Sequence, residues 1–274
     1  VTTCDNGQWY RVSYWSAPPS SPAYIHADNH RLVYNSVGEM IVGNDGGVQV
    51  RTNFGNYPVN KGYNVTQFYS MGFGGLGAVI AGAQDNGTLY KDNSLPWLKE
   101  FNEVRGGDGF ECEISYLNPE GLIATVYNGA IYRSDNNGQS MGQISIDCAA
   151  GTGEPGCAPF YNAIALMETP DDYQSEDSVI FYPPSTESLS AGDTITYYSD
   201  NFGMPIEHVL TQDVNVYDTT FILGGDTITY VTYKDTITLP DFIQTYFMTQ
   251  WDNSVFITRD VFRFSKQTEW WKLL

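Results

Sequence analysis

Apolar and polar positions alternate in short runs broken by Asn, Asp and Gly, and runs of the helix formers Ala, Leu, Glu and Lys are few. Four stretches repeat one pattern: IVGNDGGVQVRT (41–52), IAGAQDNGTLYKD (80–92), IATVYNGAIYRSD (123–135) and MTQWDNSVFITRD (248–260). Each is an apolar strand, a turn rich in Asn, Asp and Gly, and an alternating second strand, which predicts a β-hairpin. A further apolar run leads each hairpin, at residues 25–34, 65–73, 110–117 and 161–167. The predicted unit is therefore inner strand, second strand, turn, third strand.

Gly43, Gly82, Thr125 and Thr249 hold matching positions. The first three are about 40 residues apart, a period expected of four-stranded propeller blades, since one such sheet buries both faces only when neighbours pack on it. The last gap is roughly three periods long, so it holds either three units or one unit carrying an insertion. Within it GDTITY occurs at residues 192–197 and 225–230, and KDTITL at 234–239. Alternating Thr and Ile after a Gly-Asp turn predicts half-buried strands. The expected organisation is all-β: partial propeller blades over 1–167, an inserted small β module or modified blades over 168–240, and a return to a propeller blade over 241–274. ETPDDYQSED (168–177) is the expected entry linker.

Composition supports a packed β protein, with 42% hydrophobic and 15% aromatic residues, 20 Tyr and 27 Gly. Thirteen basic against 32 acidic residues give a formal charge of −19. That charge repels phosphate backbones, so nucleic acid is excluded as a partner. The acidity serves either solubility or Ca²⁺ binding, and no EF-hand-like loop accompanies it. No apolar run is long enough for a transmembrane segment. The cysteines lack zinc spacing; Cys148 and Cys157 bracket a flexible loop that a disulfide would close, and Cys4 and Cys112 would pair only if folding brought them together. Asn64 and Asn86 sit in glycosylation acceptor triplets.

A second signal follows the third strands. Thr3, Asp5, Gly7 and Trp9 form T-x-D-x-G-x-W, and Ser134, Asn136, Gly138 and Ser140 form S-x-N-x-G-x-S. Both resemble the Asp-box S-x-D-x-G-x-T-W, in which the acid accepts N–H bonds within its own turn and Trp packs between blades. Thr52 and Thr258 align with Ser134 and lead into degenerate versions, the latter ending in Trp270 and Trp271. Residues 3–9 and 258–271 then match the same point of a unit, so the chain is expected to open and close mid-blade. With HADNH, GNDGG, NVTQFYS, AQDNGT and GGDGF, the sequence resembles secreted bacterial β-propellers with neuraminidase-type repeats, the sialidase-, sortilin- and xyloglucanase-like group. Its look is nearest to the large surface proteins of type IX-secreting gliding bacteria. The resemblance implies export, cell-surface display and adhesion or carbohydrate binding, as part of a longer polypeptide whose partner is a glycan or surface protein.

In an inner strand His26, Asp28 and His30 would point to one side, a geometry suited to Zn²⁺, Mn²⁺ or Fe²⁺ if a further ligand converged, Ca²⁺ being the divalent candidate for carboxylates elsewhere. Propeller topology would also place His26 and Asp28 on the same face as Asn44 and Asp45, Gln84, Asp85 and Asn86, and Asp108, a shared polar mouth for a ligand. For each of these loops the competing account is turn chemistry, since Asn, Asp and Gly tolerate left-handed angles. A xyloglucanase-like glycoside hydrolase would draw its carboxylates from Asp45, Asp85 and Asp108. A sialidase needs an arginine cluster, and Arg51, Arg133 and Arg259 lie by the box turns, away from the mouth. Tyr63, Phe68, Tyr69, Trp97 and Tyr127 are candidates for sugar stacking or for packing between blades. The expected function is a non-catalytic scaffold requiring no cofactor, with glycoside hydrolysis as the alternative.

Overall fold

The computed structural model describes residues 2–63, 65–92, 100–144, 146, 158–184, 187–251 and 253–273. Cys148, Cys157, Asn64 and Trp97 lie outside the described residues. The fold is all-β. A two-stranded hairpin, β1 (Thr2–Asp5) and β2 (Gln8–Arg11), comes first. The first four-stranded sheet is β3 (Asn29–Tyr34), β4 (Met40–Asn44), β5 (Gly47–Thr52) and β6 (Gly55–Pro58). The second is β7 (Ser70–Phe73), β8 (Val79–Ala83), β9 (Gly87–Lys91) and β10 (Asn102–Arg105). The third is β11 (Cys112–Ile114), β12 (Leu122–Val126), β13 (Ala130–Ser134) and β14 (Gly142–Gln143). All three are antiparallel meanders in sequence order.

The fourth sheet opens with β15 (Ile164–Thr169), and the chain then leaves it. The excursion comprises β16 (Ser178–Phe181), β17 (Thr194–Tyr198), β18 (Pro205–Val209), β19 (Val216–Leu223), β20 (Asp226–Lys234) and β21 (Ile237–Pro240), paired as 16–21, 17–18 and 19–20. β22 (Gln244–Trp251), β23 (Ser254–Thr258) and β24 (Trp271–Lys272) then complete the sheet beside β15. Of the two accounts of the long gap, one unit carrying an insertion is the one that is formed. Each predicted hairpin is the middle pair of a four-stranded sheet.

The core of the excursion is continuous with that of the sheets. Phe181, Ile195, Tyr197, Ile237 and Leu239 pack into one buried cluster with Ile123 and Ile131 of the third sheet and Phe247 of the fourth. In β17 and β21, Ile195, Tyr197, Ile237 and Leu239 are buried while the Thr positions between them are exposed, as the alternation predicts. Asp241 fastens the excursion, its buried carboxylate accepting Ser199 Oγ–H and the backbone N–H groups of Asp200 and Ile243. Asp177 does the same from the entry segment through an ion pair with Arg259, which holds the carboxyl below its usual range.

β7 and β8 of the second sheet pack closely on the start of the third. A Cβ on Gly82 would lie 1.8 Å from Phe110 O, and one on Gly72 would lie 2.8 Å from Cys112 O, so glycine is required where the second sheet meets the third. Third strands end alike: Thr52, Ser134 and Thr258 each accept, through the side-chain oxygen, the N–H two residues on. Asn136 accepts the Ser140 N–H within its own turn, and Asn137 and Gly138 take positive φ. Trp270 packs on Phe247 and donates Nε1–H to Ile144 O. Trp9, expected between blades, is 73% exposed instead. Cys112 is a buried free thiol, so it forms no pair with Cys4. No helix among the described residues is long and apolar enough to cross a membrane.

Candidate functional site

The loops at one edge of the first three sheets are stitched together by hydrogen bonds between elements far apart in sequence. His26, in the loop before β3, donates its backbone N–H to Gln49 Oε1 and places ring Nε2 2.9 Å from Asp85 O, in the β8–β9 turn. Asn86 of that turn donates to Asp45 O, in the β4–β5 turn. Asp108, from the loop before β11, accepts the Asp85 N–H at 3.0 Å. His26, Asp45, Asp85, Asn86 and Asp108 thus meet at one place.

The same stitch recurs from sheet to sheet. The turn of each sheet bonds the entry loop of the next: Asn60 Nδ2 to Gly46 O, Gly87 N to Gly107 O, and Asn128 N to Phe160 O. Turn chemistry and site geometry therefore coexist. Asn44 is largely a turn residue: Oδ1 accepts the Gly46 N–H and Nδ2 donates to buried Gln49. Asp28 and Asp85 take positive φ, 51° and 63°, the left-handed region that Asp tolerates through local side-chain bonding.

The histidine metal set does not assemble. The strand begins at Asn29, so His26 and Asp28 lie in the preceding loop and do not share a strand face with His30. Both His26 ring nitrogens face backbone carbonyls, and His30 pairs with Asp45. A different trio converges: one carboxylate oxygen each from Asp28, Asp45 and Asp85, all within 4.8 Å of one another. These all-oxygen donors suit Ca²⁺ and lack the N or S ligands typical of Zn²⁺.

The charges in this cluster separate its members. Burial first, then the hydrogen bond to Asp45 and the charges of Asp108, Asp45 and Asp28, push the Asp85 carboxyl up to about 6. Asp45 moves the other way, held low chiefly by its hydrogen bond with His30. Below about pH 6 a protonated Asp85 therefore sits beside an ionised Asp45, and above it both are carboxylates.

Beside the cluster lies a cleft of about 640 Å³, walled by Asn60, Tyr63, Gln67, Tyr69, Gln84 and Asn86 together with Asn44, Asp45 and Asp85. Tyr69 O–H donates to Gln84 Oε1 at 2.8 Å, fixing a ring edge and an amide along one wall. Tyr63 and Tyr69 are 59% and 50% exposed, Tyr69 also meeting the rings of Phe110 and Tyr161. Phe68 instead packs on Phe101, and Tyr127 stacks on Phe160. A second cleft, about 410 Å³, opens on the other side of His26 and Asp28, between Arg11, Tyr14 and Trp15. Sequence reasoning missed that wall.

It also missed Glu111, whose carboxylate accepts Ser70 Oγ–H at 2.5 Å and the Tyr161 hydroxyl, pushing Tyr161 up to about 12. The signal was the alternation of Glu111 and Glu113 with buried Phe110, Cys112 and Ile114. Of the arginines, Arg51 donates to Val12 O and Arg133 to Asp260 O and Val261 O, so both are structural clasps. No protein-family model matches the chain, and comparisons with curated proteins and with solved structures return no match.

Proposed function

We propose that the four sheets are consecutive blades of a β-propeller with neuraminidase-type repeats, and that the chain is a non-catalytic scaffold segment of a larger exported cell-surface protein. Its ligand is a glycan or a surface protein, held at the polar mouth. The observation that carries this is the repeated bond from the turn of one sheet to the entry loop of the next, which gathers polar side chains of separate sheets around one cleft. Amides with fixed orientation and half-exposed tyrosine rings are what sugar hydroxyls and ring C–H groups pair with. Export and surface display rest on the resemblance of the sequence.

One observation favours glycoside hydrolysis as a second function for the same cleft. Asp45 and Asp85 are displaced in opposite directions, the division expected of a carboxylate and a general acid. Their carboxylate oxygens lie within 4.8 Å and share a hydrogen bond, closer than the roughly 6.5–9.5 Å that admits a water in inverting enzymes. Affinity electrophoresis through gels containing single polysaccharides tests the binding function. At least one neutral glycan should retard the chain, and Tyr69→Ala with Asn86→Ala should abolish the retardation. Unchanged retardation in that variant would place the ligand elsewhere.

A further inference from the structure

The hexapeptide GDTITY occurs twice, with two different fates. In β17 its alternate residues Ile195 and Tyr197 are buried, 7% and 3% exposed, under the third and fourth sheets. In β20 the equivalent Ile228 and Tyr230 are 38% and 49% exposed. The pairing of β19 with β20 sets Phe221 opposite Ile228, Thr219 opposite Tyr230 and, beyond a bulge, Tyr217 opposite Tyr233. These residues and Leu223 share one face, knit by ring contacts of Phe221 with Tyr230 and Tyr217 with Tyr233. Asp218, Thr220, Thr227 and Thr229 mark the opposite face, where Ile222 is the exposed apolar residue and the Thr220 and Thr229 hydroxyls lie 2.9 Å apart. The hairpin is amphipathic, and its apolar face is bare.

We propose that this face is a homodimerisation surface, docking on the same face of a second copy of the chain. Two-stranded hairpins are marginal alone, and a face with this alternation is built for burial. Tyr217, Phe221, Tyr230 and Tyr233 are 48%, 42%, 49% and 61% exposed; at roughly 200 Å² per ring that leaves about 400 Å² open. Leu223 at 64% and Ile228 bring it to about 500 Å² per copy. A twofold pair then buries about 1,000 Å², the lower limit of a specific interface. The face suits itself because an isologous contact needs only self-complementarity, and its one charge, Asp226, sits at the tip.

Sedimentation velocity of the full chain from about 1 to about 100 µM tests the proposal, the range appropriate to an interface at the lower size limit. A concentration-dependent dimer is expected, strengthened by salt because like-charged copies repel less when screened. Phe221→Ser with Tyr230→Ser should weaken self-association at least about tenfold. Leu223→Lys, at the exposed tip, decides the matter if the double variant fails to fold. A monomer throughout, or a dimer indifferent to Leu223→Lys, would overturn the proposal. So would flotation of the chain with neutral phosphatidylcholine vesicles that is lost in these variants, which would make lipid the occupant.

Discussion

Replacing Asp85 by Asn should stabilise the protein above pH 6 and do little below pH 4. The Asp85 carboxyl is one of three whose oxygens meet within 4.8 Å, with Asp108 adding a fourth charge. Its pKa rises from 3.8 to about 6 on folding, so the folded state holds the proton more tightly than the unfolded state. The cost of ionising it is therefore full above about pH 6 and fades as pH falls toward the unfolded value. Converted directly, the change is about 3 kcal/mol; partial exposure and solvent screening reduce it to about 1 kcal/mol. Asn tolerates the positive φ at this position, and the backbone bonds from Asp85 N to Asp108 and from Asp85 O to His26 are kept. Thermal unfolding without divalent cations should show Asp85→Asn melting about 2–4 °C higher at pH 8, and no higher at pH 4. A difference of the same size at both pH values, or a loss of stability at pH 8, would refute the reasoning.

Other outcomes follow from the same geometry. Ca²⁺ at about 1 mM should raise the melting temperature of the wild type, less so below pH 6 as Asp85 protonates, and not that of Asp45→Asn; no shift in the wild type removes the cation from the account. Gly82→Ala places a Cβ against Phe110 O and should cost about 3 kcal/mol in urea unfolding, where a cost under 1 kcal/mol would show that the second and third sheets yield. The Cys112 thiol, pushed up to about 12 mainly by burial, should react with a disulfide reagent about a thousandfold more slowly in the folded chain than in urea. Equal rates would contradict its burial.

The sheets were legible because their turns are written in Asn, Asp and Gly beside apolar runs, a local signal that survives any tertiary setting. Entry loops were not. HADNH alternates like a strand, yet Asp28 sits at φ 51°, and a single positive angle ends the strand geometry that would have aligned His26 with His30. The convergence of Asp45, Asp85 and Asp108 could be anticipated because topology alone fixes which turns share an edge. The partnership of Asp28 with Asp45 and Asp85 could not, since it depends on side-chain directions across two sheets. The two copies of GDTITY make the same point: identical residues form a buried strand and a bare one according to what lies above them. Trp9 is exposed although its motif predicts packing, because in this structure β1 and β2 form a sheet of two strands only.

The central claim is that the polar mouth binds without cleaving. Incubating the full chain with a panel of polysaccharides, and measuring both retention and release of reducing ends, tests it most directly. Retention that is lost in Tyr69→Ala with Asn86→Ala, and no reducing ends above background, is the predicted result. Reducing ends released by the wild type and lost in folded Asp45→Asn or Asp85→Asn would contradict it and make the chain a glycoside hydrolase.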